Sequence, residues 1–185
     1  VQTCALPILP RLIDVLRRES LALESVPCTL AESLTQHKIE ASLRILRAIG
    51  PQAGAAVPVL IELVESQSSD SLAALQALNA IAPADPRVRA LSLRVLLSES
   101  SNLKTKWFAL EAILIITKSG PAAEPLLPEL LVTWEKWRLF SVRVQLFTAF
   151  AKIAPDDPRV RALWLRIVDD QPQLAWDAAA VLYDS

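Results

Sequence analysis

The stretch IAPADPRVRALSLRV at residues 81–95 returns as IAPDDPRVRALWLRI at residues 153–167, displaced by 72 positions. A second pair, IGPQAGAAVPVLIEL at 49–63 and SGPAAEPLLPELLVT at 119–133, is displaced by 70. The two types alternate, and their leading prolines, Pro51, Pro83, Pro121 and Pro155, lie 32, 38 and 34 residues apart. A unit of about 35 residues is therefore repeated, which is the mark of an array of small stacked units, and a pair of units reads as copied together.

Upstream of those prolines the residues keep a helical register. Leu46, Leu78, Ile116 and Phe150 stand five residues before the proline, and Leu43, Leu75, Ile113 and Phe147 stand eight before it. Ile49, Ile81, Ser119 and Ile153 stand two before it. A spacing of three places these side chains on one face of an α-helix, here helix A of each unit. Nine before the proline come Ser42, Ala74, Ala112 and Leu146, mostly small residues that let a neighbouring helix approach closely.

Helix A has a reason to stop. Gly50 and Gly120 accept the left-handed conformation of a helix C-cap without a Cβ penalty. In the alternate units Ala82 and Ala154 stand there, and the following Pro-x-Asp-Pro supplies the turn. Asp85 and Asp157 fall where an N-cap acceptor is needed, and the prolines suit the first turn of the next helix, helix B. Helix B is amphipathic too. Val57, Leu60, Ile61 and Val64 recur as Leu127, Leu130, Leu131 and Trp134, while Val88, Leu91 and Val95 recur as Val160, Leu163 and Ile167.

Each unit is thus a helical hairpin with apolar faces on both helices, and the units must stack to bury them. The spacing predicts a leading helix B at 9–19, A/B pairs at 34–50/54–66, 70–81/85–98, 103–118/121–136 and 138–153/157–169, and a lone helix A at 173–184. The stretch 20–33 falls outside the period. Thr29-Leu30-Ala31-Glu32 reads there as a capping box, which allows a short extra helix or a longer helix A. Helix content above about 65%, without a sheet, is expected because every periodic segment has a helical period.

Composition agrees with this. Of 185 residues, 27 are alanine and 32 leucine, with only three glycines, a bias against all-β folds rich in β-branched strands and glycine turns. A hydrophobic fraction of 52% argues against a disordered chain. The charge of −1 offers no global attraction to nucleic acid or anionic lipid. No apolar run of about 18 residues is free of charge or proline, so no membrane partner is expected.

The corner Ala48-Ile49-Gly50-Pro51 leading into Val57-Pro58-Val59-Leu60-Ile61-Glu62-Leu63 resembles bacterial HEAT-like repeats, of the subtype also found in phycobilisome lyases. Ser119-Gly120-Pro121 through Leu127-Pro128-Glu129-Leu130-Leu131 matches nearly as well. The likeness covers about residues 34–170, with Ala-Pro replacing Gly-Pro in the alternate units. It implies an all-α, right-handed α-solenoid of stacked helical hairpins, an armadillo-type superhelix whose B helices line the concave face. The signatures of tetratricopeptide and ankyrin repeats, of similar period, are absent.

The first eight residues, VQTCALPI, resemble a translated sequencing adapter. Residues 1–8 are therefore expected to be non-native, and 9–185 to be a single array truncated at one or both ends. A cytoplasmic location is expected, although the missing start methionine leaves an upstream signal sequence open.

Catalytic signatures are missing: there is no Gly-x-Ser-x-Gly, His-Glu-x-x-His or phosphate-binding glycine loop. Cys4, Cys28 and His37 are too few for a metal site, and His37 reads as an ordinary exposed histidine. No catalytic residue, cofactor or metal is expected. The expected function is a non-catalytic scaffold that binds a protein or peptide partner on its concave face. Two alternatives stand beside it. One is a phycobilisome-lyase-like chromophore-binding protein, with Cys28 as the pigment carrier in its boldest form. The other is a nucleic-acid-binding or DNA glycosylase module, which would want a basic groove.

The candidate partner-binding residues are Arg87, Arg94, Arg159, Arg166 and Trp137. Arg87 and Arg94 lie seven apart on one helical flank, and Arg159 and Arg166 repeat them. Arg89 and Arg161 lie on the opposite flank. A partner-binding role, for an acidic peptide, requires the four guanidinium groups to be open, and a structural role requires each to be engaged by a nearby acid or carbonyl. Trp137, between Lys136 and Arg138, is expected to be the most exposed tryptophan. The helix at 173–184 is expected to present an apolar edge through Ala175, Trp176, Ala179, Ala180, Val181 and Leu182, allowing self-association.

Overall fold

A computed structural model describes residues 7–23, 30–98 and 103–183. The described residues are predominantly helical, with no strand among them. It divides into two compact units, Val1–Ala82 and Pro83–Ser185.

In the first unit, α1 (Leu9–Leu23) packs beside α2 (Leu30–Ile49), burying Leu9, Leu12 and Leu16. The period-breaking stretch therefore becomes a longer helix A from Leu30 onward, while Thr29 and Cys28 lie outside the described residues. At Gly50 the backbone takes φ 66°, the left-handed cap expected of a glycine there. One expectation fails at this corner. Helix B, expected from residue 54, starts later: Pro51 lies in a 3₁₀ segment, Gly50–Ala56, and α3 (Val57–Glu65) begins at Val57 with Pro58 in its first turn. The physical reason is that Pro51-Gln52-Ala53-Gly54 carries no N-cap side chain, so tighter i→i+3 turns carry the chain across the corner.

The Gly50 break also divides the run Gln36–Glu65, the one run among the described residues that is long and apolar enough to cross a membrane. A turn with Gln67 at φ 53° leads into α4 (Ser71–Ile81), which packs on α2 and α3. Leu43, Leu46, Leu75 and Leu78, read from the register alone, are all buried.

The second unit starts with α5 (Pro86–Leu97), a helix B, followed by α6 (Leu103–Lys118). Gly120, at φ 55°, opens a second 3₁₀ segment, Gly120–Leu126, before α7 (Leu127–Lys136), so Pro121 repeats the correction made at Pro51. Then come α8 (Phe140–Ile153), α9 (Pro158–Asp170) and α10 (Pro172–Tyr183). The A helices α6, α8 and α10 pack in sequence as one layer, and the B helices α5 and α7 pack side by side as another. Ala112, Ile113, Ile116, Leu146, Phe147 and Phe150 are buried between them, with the Trp134 ring 6.2 Å from that of Phe150. Every tryptophan, tyrosine and phenylalanine of the chain belongs to this unit.

Candidate partner-binding surface

The two copied segments build the same hairpin start. Asp85 (φ −65°, ψ 126°) and Asp157 (φ −65°, ψ 127°) are extended N-caps. Asp85 Oδ1 accepts from the Arg87 backbone N–H at 2.8 Å and from Arg87 Nε at 3.2 Å, while Oδ2 accepts from Nη2 at 2.8 Å. For Asp157 and Arg159 the distances are 2.8, 3.1 and 2.8 Å. Each carboxylate thus satisfies an orphan helix donor and holds an arginine fork at once. The arginine side-chain bond holds the Asp85 carboxyl below the ordinary value and pulls Asp157 down to about 2. The same bond raises both arginines.

Arg166 reaches from α9 to α7, where Nη2 donates to Glu135 Oε1 at 2.7 Å. Arg94 lies exposed on α5 and is not without a partner. The candidate arginines are therefore engaged at separate places: two at their own helix starts and one on a neighbouring helix. Open guanidinium groups, the arrangement a binding role was expected to need, are not what Arg87, Arg159 and Arg166 present. The three guanidinium groups remain more than half exposed, while the Asp85 and Asp157 carboxylates that hold two of them are largely covered.

Trp137 departs from expectation. It is half-buried, with Nε1 donating to the Leu96 carbonyl of α5 at 3.3 Å. The chain leaves α7 in an extended conformation at Trp137 (φ −79°, ψ 122°), and the indole reaches α5 instead of solvent. The exposed tryptophans are Trp107, with Lys106 Nζ 5.6 Å from its ring, and Trp176, at 75% exposure on α10. Trp164 lies against Phe147 with its Nε1–H buried and without an acceptor. On α10, Trp176 and Ala179 are exposed and Ala175 half-exposed; the side chains of Ala180, Val181 and Leu182 lie outside the described residues.

One residue that organises this region gave no periodic signal. Arg143 of α8 lies over the Trp134 ring at 5.0 Å, and its Nε donates to the Trp137 carbonyl at 2.8 Å. Its Nη1 donates to Gln171 Oε1 at 3.1 Å. Burial lowers its pKa, helped by the charges of Arg138 and Arg166. Equivalent register positions carry Ile39, Ser71 and Ala109, all buried, so a lone charge at an apolar position was the signal available. Among the described residues, no three His, Cys, Asp or Glu side chains converge as a metal cluster. No protein-family model, curated protein or solved structure matches the chain.

Proposed function

We propose that the chain is a right-handed α-solenoid of stacked HEAT-like helical hairpins, acting as a non-catalytic scaffold that binds a protein or peptide on its concave face. The observation that carries this reading is the recurrence of one hairpin start: Asp85–Arg87 and Asp157–Arg159 agree in backbone dihedrals and in hydrogen-bond lengths. Units that fold alike and pack only on their neighbours propagate as a superhelix with an extended binding surface. Two largely exposed tryptophans, Trp107 and Trp176, support a binding role, since tryptophan is enriched at interface hot spots.

Two measurements test this. A compact chain of this length has a radius of gyration of about 16 Å, and solution scattering of the solenoid gives a larger value with an elongated profile. Selection from a displayed peptide library yields peptides that bind saturably. A globular scattering profile, or a library without one saturable binder, defeats the reading.

A further inference from the structure

Arg143 puts a charge where the other units place Ile39, Ser71 and Ala109. Half-burial strips water from its guanidinium, and the protein replaces only part of what is lost. Nε donates to the Trp137 carbonyl at 2.8 Å and Nη1 to Gln171 Oε1 at 3.1 Å, while the Trp134 ring lies 5.0 Å from the face of the group. Nη2 donates to nothing among the described residues.

Other donors meet on the same guanidinium. The peptide bond whose carbonyl accepts from Arg143 leads straight into Arg138, an exposed side chain with neither hydrogen bond nor ion pair among the described residues. Gln171 gives its oxygen to Arg143 and keeps its amide N–H groups, and it stands at the N-terminus of α10, the positive end of that helix. Burial first, then the charges of Arg138 and Arg166, lower the Arg143 pKa, while Glu135 raises it. Arg166 and Glu135 already hold each other at 2.7 Å, so the charges of Arg138 and Arg143 are left without a counter-charge. Every member of the set comes from residues 134–171, inside the second unit.

We infer that Arg138, Arg143 and Gln171 form a binding site for a phosphate monoester group. Such a group carries a charge of about −1.5 to −2 at neutral pH and three strong acceptor oxygens. Its charge matches the two arginines, and its oxygens match the free Nη2 of Arg143, the Arg138 fork and the Gln171 amide. Arg143 is already fixed by Trp134, Trp137 and Gln171, so binding costs it little side-chain freedom. A carboxylate or a phosphodiester brings a single charge and leaves one arginine unmatched. Arg166 stays on Glu135 and contributes only its field. The inference stands apart from the scaffold reading, which concerns a polypeptide on the concave face.

The test titrates methyl phosphate calorimetrically into the full chain at low ionic strength. One saturable site with a Kd of about 1 mM is expected, weakened about tenfold by Arg138→Gln and by Arg143→Gln. Should Arg143→Gln melt early, Arg138→Gln carries the test alone, since it removes an exposed side chain without partners and leaves the Tm unchanged. Glu135→Gln is expected to tighten binding a few-fold by removing the nearby carboxylate, a gain that purely structural arginines would not show. Dimethyl phosphate, with its single charge, should bind at least about tenfold more weakly than methyl phosphate. A serine peptide, phosphorylated and not, separates two sources of the group. Tighter binding of the phosphopeptide than of methyl phosphate marks a modified side chain, and equal binding marks a free small molecule. Three results overturn the proposal: no saturation by about 10 mM, affinity indifferent to Arg138→Gln, or dimethyl phosphate binding as well as methyl phosphate.

Discussion

Asp70 sets a carboxylate against its surroundings. It is buried, Oδ1 accepts from Gln36 Nε2 at 2.6 Å, and Oδ2 has no partner. Desolvation raises its pKa above 3.8, outweighing the Gln36 hydrogen bond. The folded state therefore holds this proton more tightly than the unfolded chain. The resulting stabilisation is full below pH 3.8 and is lost as the pH rises through the folded value. Asp70→Asn should raise stability at neutral pH and change little in acid, as urea titrations at several pH values will show. Asp85 and Asp157 run the other way. Their folded values are depressed, so their contribution is present above 3.8 and disappears as the pH falls, for Asp157 toward about 2. Loss of the cap in Asp85→Ala should cost about 1 kcal/mol at neutral pH, shrinking in strong acid. Gln67, a non-glycine residue at φ 53°, stores strain of about 1 kcal/mol, and Gln67→Gly should be neutral to stabilising in the same titration.

At the scale of elements, the corners decide where helices end. A Cβ at Gly120 would meet no atom within 4 Å, so the cost of Gly120→Ala, about 1 kcal/mol in a thermal melt, is that of a positive φ alone. Gly54, equally uncrowded and without a positive φ, should accept alanine without loss. Helix ends of this kind were legible in the sequence because glycine and Pro-x-Asp-Pro act locally, through one dihedral or one side-chain bond. The A-helix cores at Leu46, Leu78, Ile116 and Phe150 were legible because the period repeats four times. The 3₁₀ corners after Gly50 and Gly120 were not, since i→i+3 and i→i+4 turns share the same composition. Nor was the burial of Trp137, which depends on the extended exit from α7 and on the Leu96 carbonyl 41 residues away. Local pattern places side chains on faces; the pairing of Arg166 with Glu135 is set by helix neighbours 31 residues apart.

Across the whole molecule, stability and surface separate cleanly in the second unit. Phe150 is wholly buried, and Phe150→Ala should cost about 3–5 kcal/mol, whereas Leu165→Gln should stay within about 0.5 kcal/mol. Paired denaturant titrations check both. The crowding of all ten aromatic side chains into Pro83–Ser185 has an optical consequence. Indole emission and near-ultraviolet dichroism report on that unit only, and Val1–Ala82 is dark to both. Far-ultraviolet ellipticity, by contrast, sums the helices of the two units. A melt followed at both signals thus watches one half against the whole, and the gap between the two curves measures directly how independently the halves come apart.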